Sequence, residues 1–142
     1  MQTNLIGHVM TTQAIVPFMK RTKKLEMDTL PPAKIVNLSA RVGSIGDNSL
    51  GGWYSYRMSK AALNMFTKTS SIELKRWNIF CMSIHPGTTD TDLSKPFQKN
   101  IKPETLLTVE QSVQKMLQVI DSNEDMGETG SFYAYDGSKI EW

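Results

Sequence analysis

The chain has 142 residues, 39% of them hydrophobic and 21% charged, with a formal net charge of +2. That length allows one domain with a real core, and the balance suits a soluble globular protein. The small charge, with no Lys/Arg cluster interleaved with aromatics, argues against nucleic acid, and the single cysteine and two distant histidines offer neither a disulfide nor metal-ligand spacing. Residues 1–19 carry no Asp, Glu, Lys or Arg. Gln2, Thr3, Asn4, His8, Thr11, Thr12 and Gln13 still make them too polar to span a bilayer, and no basic start marks a signal peptide. No membrane partner is expected, and a cytoplasmic protein is the default. Residues 2–20 place Leu5, Val9, Ile15 and Met19 on a broad apolar stripe, which predicts a helix. Residues 21–33 read as a loop in which Pro31-Pro32 enforces an extended approach to the next element. Ile35, Val36 and Leu38 predict a strand over 34–39. Four glycines and Asp47-Asn48-Ser49 make 40–52 a loop. A long helix over 55–76 and a fully buried strand over 78–84 follow, with Cys81 a packing residue rather than a nucleophile. The stretch 86–103, with three prolines, reads as a loop or flexible lid with short helical turns. Thr108 and Gln111 form a capping box, and Val109, Val113, Met116, Leu117 and Ile120 continue at helical spacing. Gly127 and Gly130 bracket a turn before a last strand over 131–135. Helix, strand, helix, strand, helix, strand predicts parallel strands with crossover helices, an α/β doubly wound layout.

Tyr56 and Lys60 are the most informative pair. They lie four apart at a predicted helix start, so both can point into one site. A phenol has an unperturbed pKa near ~10 and is a poor proton donor or acceptor at neutral pH. A nearby ammonium favours the phenolate and lowers that value. The pair could build a general acid for a carbonyl oxygen. It could equally be a surface helix with a packed Tyr and a solvated Lys.

Four marks stand in chain order: Asn4, a strand ending in Ser39, Tyr56-x-x-x-Lys60, and Pro86-Gly87 with Thr91. With them the chain resembles the short-chain dehydrogenase/reductase family. The segments 51–57 and 135–137, with the closing Trp142, are most similar to its carbonyl-reductase-like branch, which includes the sniffer and C-factor proteins. The resemblance implies a Rossmann-like parallel sheet, NADP or NAD as cofactor, and a small aldehyde or ketone as substrate. It implies that Tyr56 is the general acid and that Lys60 lowers its pKa and holds the nicotinamide ribose. Asn4 would anchor a water in a proton relay to Lys60; on the residues alone it could as well be a helix N-cap. The substrate-binding serine departs from the pattern, because Ala40 stands where that hydroxyl is expected. Ser39 is adjacent but faces the other way in a strand. Ser44, on the loop, is the preferred donor. Pro86, Gly87, Thr89 and Thr91 resemble the loop that seats the nicotinamide, with Gly87 letting the backbone approach. Trp53, Tyr54, Leu93 and Phe97 are candidates to line a substrate pocket, or simply core.

No Gly-rich turn joins a first strand to a first helix, as pyrophosphate binding requires. The expectation is therefore that residues 1–142 are the C-terminal portion of one dehydrogenase domain, the second half of a doubly wound sheet, without the dinucleotide-binding half. Such a chain is expected to lack reductase activity alone and to self-associate through helices 2–20 and 55–76, as family members pair. A non-enzymatic dimerisation module is the alternative.

Overall fold

A computed structural model describes residues 1–20, 29–101 and 105–142. The expected loop at 21–33 and lid at 86–103 therefore fall partly outside the described residues. Three strands form a parallel sheet in the order β1-β2-β5: β1 (Ala33–Leu38), β2 (Ile79–His85) and β5 (Ser131–Ala134). Among the described residues, three α-helices accompany it: α1 (Gly7–Met19), α2 (Tyr54–Leu74) and α3 (Val109–Ser122). This is the alternating α/β layout with parallel strands that the element order predicts.

β2 is the central strand, and Ile79 through Ile84 are each no more than 1% exposed. A parallel strand covered on both faces needs such a continuous apolar run. Alternate residues leave it in opposite directions. Phe80, Met82 and Ile84 pack with Val119, Tyr133 and Met116 on the α3 side. Ile79 and Cys81 pack with Ile35, Leu74, Val16 and Met19 on the side of α1 and α2. Burial pushes the Cys81 thiol up to about 12, so it is inert.

The first predicted helix is two pieces. Gln2–Ile6 is a π-helical turn that runs into α1. Pro17 lies inside α1 near its end, and its missing N–H leaves the last turns one i→i−4 hydrogen bond short. α3 starts on the expected capping box: Thr108 Oγ1 accepts the Gln111 N–H, and Gln111 Oε1 accepts the Thr108 N–H at 2.9 Å. At its other end, the Lys34 ammonium donates to the Ile120 carbonyl at 2.7 Å. A cation at a helix C-terminus answers both the orphan carbonyls and the dipole.

One short ladder escapes the sequence, and one of the short helical turns expected in 86–103 is present. β3 (Thr88–Thr89) and β4 (Leu106–Leu107) make a second, two-stranded parallel ladder. Lys95–Asn100 between them is a 3-10 helix. Among the described residues, no helix is long and apolar enough to cross a membrane.

Candidate active site

The C-terminal ends of β1 and β2 open into a cavity of about 910 Å3. Ligands of open α/β sheets bind at this end, where the strands stop and the loops begin. The start of α2, the loop after β1, the Pro86–Thr91 stretch and the start of α3 complete its walls.

Tyr56 lies in the first turn of α2 and lines the cavity. Lys60, one turn on, is 8% exposed. Its ammonium donates to the Leu38 carbonyl at 2.7 Å and stands 5.9 Å from the centre of the Tyr56 ring. Gly43 makes this arrangement possible, because a Cβ there would fall 2.6 Å from the Lys60 Cβ. The turn after β1 can thus press directly onto α2.

The electrostatics differ from expectation. Burial raises the Tyr56 phenol above its ordinary value and lowers the Lys60 ammonium. The Lys60 charge is engaged by a carbonyl rather than by the phenol, so desolvation wins over ion attraction. Tyr56 is therefore a protonated phenol at neutral pH, the form a proton donor requires.

Asn4 sits in the π-helical turn, and its amide donates to Ser59 Oγ at 3.1 Å. Ser59 Oγ in turn donates to the Tyr56 carbonyl at 2.8 Å. Asn4 is thus joined to the Tyr56 turn, and no side-chain cap is formed at that helix start. Ser39 turns its hydroxyl to α2 and donates to Asn64 Oδ1 at 2.6 Å. Ser44 is 2% exposed, accepts the Asp47 N–H at 2.9 Å, and is not among the residues lining the cavity. Ala40 does line it.

Gly87, which also lines the cavity, has φ 76°, and a Cβ there would meet the Tyr135 ring at 2.7 Å and Leu107 at 2.8 Å. Only glycine satisfies both the conformation and the close approach. Ser112 of α3 donates to the Pro86 carbonyl at 2.7 Å. Ser94 Oγ donates to the Thr89 carbonyl at 2.6 Å and holds the loop. The Thr91 hydroxyl has only a 3.5 Å contact to Thr89 O, a length too great for a strong bond, and can turn to a ligand.

Trp53, Leu93 and Phe97 line the cavity, whereas Tyr54 is 79% exposed and does not. Two further residues have no motif to announce them. His85 ends β2 against the cavity, and its Nδ1 is buried with no hydrogen-bond partner. Burial, with a contribution from the Arg41 charge, lowers its pKa to about 4, so it is neutral. Arg57 follows Tyr56 and binds the loop in front of it. A Gly-Gly pair just ahead of an arginine in a first helical turn was the available signal for that contact.

The chain matches the model of the short chain dehydrogenase family over residues 1–102. It is 31% identical to C-signal of Myxococcus xanthus, covering 98% of this chain and 74% of that protein. The carbonyl reductase Sniffer of D. melanogaster superposes with a TM-score of 0.84 at 34% identity, over 99% of this chain and 55% of that one. An NADPH-bound carbonyl reductase from chicken fatty liver superposes with a TM-score of 0.82 at 33% identity, over 99% and 54%. The chain thus spans about half the length of both reductases. With its parallel sheet, its Tyr56 and Lys60 on one helix and these matches, the chain belongs to the short chain dehydrogenase family.

Proposed function

We propose that these residues form the catalytic side of an NAD(P)-dependent carbonyl reductase. The observation that carries this reading is Tyr56 on the cavity wall, with the buried Lys60 ammonium one turn on and the Gly87–Thr91 loop lining the same cavity. The residues present fit the nicotinamide end of such a cofactor. Gly87 lines the cavity with its backbone, its Cβ direction being taken by Tyr135 and Leu107, and the Thr91 hydroxyl can meet a carboxamide. When bound, the nicotinamide supplies the hydride that goes to the carbonyl carbon. Tyr56 holds the carbonyl oxygen and gives it the phenolic proton. The Lys60 ammonium, one turn on, is the charge placed to offset the phenolate that this leaves. Ala40 adds no hydroxyl, so Tyr56 is the principal donor to the oxygen. Similarity to NADPH-bound and Sniffer-type carbonyl reductases supports a small aldehyde or ketone as substrate.

The test is a chimera. Joined to the part of the chicken reductase that it does not cover, the chain should reduce a ketone with NADPH or NADH. A well-folded chimera that binds cofactor and reduces no carbonyl compound defeats the proposal.

A second reading has its own observation. Met58, Met65 and Ile72 are 56%, 67% and 69% exposed and lie seven apart along α2. Phe18 at the end of α1 is 90% exposed. Such a stripe suits a helix–helix contact. Self-association through residues 2–20 and 55–76 is compatible with catalysis or could replace it. Sedimentation of the chain decides: Met65→Glu should shift it to monomer.

A further inference from the structure

Gly51, Gly52 and Trp53 run in succession with φ of 65°, 72° and 54°. A Cβ on either glycine would meet nothing within 4 Å. Conformation, not room, demands glycine there. Trp53 holds the same left-handed conformation with a full side chain, which is strained for a bulky residue. Strain of this kind persists only where the surroundings impose it.

Arg57 imposes it. Its Nε donates to the carbonyls of Gly51 at 3.1 Å and Gly52 at 3.0 Å. Its Nη2 donates to Gly51 O at 2.9 Å, and its Nη1 to Val42 O at 3.0 Å. One planar guanidinium thus ties both ends of the loop to the residue beside Tyr56. A lysine, with a single nitrogen, cannot span these three carbonyls in the same way. The turn it holds places the Trp53 ring 4.4 Å from Phe97 and 6.0 Å from Tyr56. Phe97 comes from a different loop, the 3-10 helix after β3. Two aromatic rings from two loops therefore meet at the cavity next to the phenol, and Leu50 and Leu93 line the same cavity.

We infer that Arg57 is a positioning residue for Trp53, and that the Trp53–Phe97 wall it maintains selects flat, aryl-bearing carbonyl compounds. The inference rests on the cavity being a carbonyl site. Flat rings gain offset or edge-to-face contact with such a wall, whereas a puckered saturated ring of equal size does not.

The test is 19F NMR of the 142-residue chain labelled with 5-fluorotryptophan. Trp53→Phe identifies the Trp53 resonance among the three. In Arg57→Met that resonance should shift or broaden while those of Trp77 and Trp142 stay in place, and Arg57→Lys should restore it only in part. Acetophenone should perturb the Trp53 resonance with an affinity roughly three- to tenfold tighter than cyclohexyl methyl ketone. Arg57→Met should remove that preference. An unmoved Trp53 resonance in Arg57→Met, or equal binding of the two ketones by the wild type, overturns the inference. Should Arg57→Met not fold, Arg57→Lys and the two-ketone comparison still decide it. Turnover plays no part here, so a chimera that reduces nothing would remove the reductase reading and leave the Arg57 assignment to stand on these shifts.

Discussion

The two faces of the central sheet are built from the same three strands and differ in chemistry. Toward α3, Phe80, Met82 and Ile84 meet Val119 and Tyr133 in an apolar layer. Toward α2, the upper half of the sheet is polar. Asn37 Nδ2 donates to Thr67 Oγ1 at 2.9 Å, Ser83 Oγ donates to the same oxygen at 2.9 Å, and Ser39 donates to Asn64. Thr67 is fully buried, and its own hydroxyl donates a hydrogen bond to the Leu63 carbonyl at 2.9 Å. An apolar layer tolerates small slides, because dispersion contacts are non-directional. A buried hydrogen-bond network does not, since each shift strands a donor. The polar face therefore fixes the register of α2 against β1 and β2, and with it the place of Tyr56 and Lys60. The apolar face supplies stability without aiming anything.

The sharpest test of this division removes the chemistry and leaves both faces alone. Tyr56→Phe deletes only the transferable proton. In a catalytically competent chimera it should lower ketone reduction by at least about a hundredfold, with the melting temperature nearly unchanged. Retained turnover would take the acid role from Tyr56. The same assay should show reduction holding through neutral pH and falling only on the alkaline side, because burial raises the Tyr56 phenol above its ordinary value.

On the apolar face, Phe80→Ala should destabilise the chain by about 3–5 kcal/mol, read by urea unfolding, because Phe80 is fully buried and its removal leaves a cavity. On the polar face, Thr67→Val removes the shared oxygen and strands donors from Asn37 and Ser83. A loss of about 2–4 kcal/mol is expected. If the polar face aims α2, a Thr67→Val chimera also loses turnover at temperatures where it is still folded, and a Phe80→Leu chimera does not. Equal behaviour of the two would erase the proposed distinction.

His85 offers an effect on stability with a definite sign. Its pKa falls from an ordinary 6.5 to about 4 in the fold. The unfolded chain therefore takes up a proton first as pH drops, so stability declines from pH 6.5 down to about 4 and is regained as pH rises. The expected loss is about 3 kcal/mol across the whole shift, and His85→Asn should flatten melting temperature against pH over that window. An unchanged slope would mean that other groups govern acid sensitivity.

The smallest effect concerns the missing hydroxyl. Ala40 lines the cavity, so Ala40→Ser should raise reduction a few-fold by adding a donor for the carbonyl oxygen. Ser44→Ala should cost less than the roughly hundredfold or more expected of an oxyanion donor, because Ser44 is tied into a turn outside the cavity lining. A loss of that size on Ser44→Ala would return the donor role to Ser44.

The sequence by itself determined the main elements. The strand expected over 34–39 is Ala33–Leu38, that over 78–84 is Ile79–His85, and the helix over 55–76 is Tyr54–Leu74. Hydrophobic period and the capping box are local signals, and parallel pairing follows from their alternation. The Tyr56/Lys60 pair was legible for the same reason, since four-residue spacing on a helix is local geometry. Only the tertiary structure decided the direction of the Tyr56 shift, because burial and the capture of Lys60 by the Leu38 carbonyl depend on a strand some twenty residues away. It alone decided that Ser39 faces Asn64, that Ser44 stays out of the cavity lining, and that β3 meets β4. Two-residue strands and single hydroxyls carry too little local preference to declare themselves; their partners arrive from distant segments and fix them only once the chain is packed.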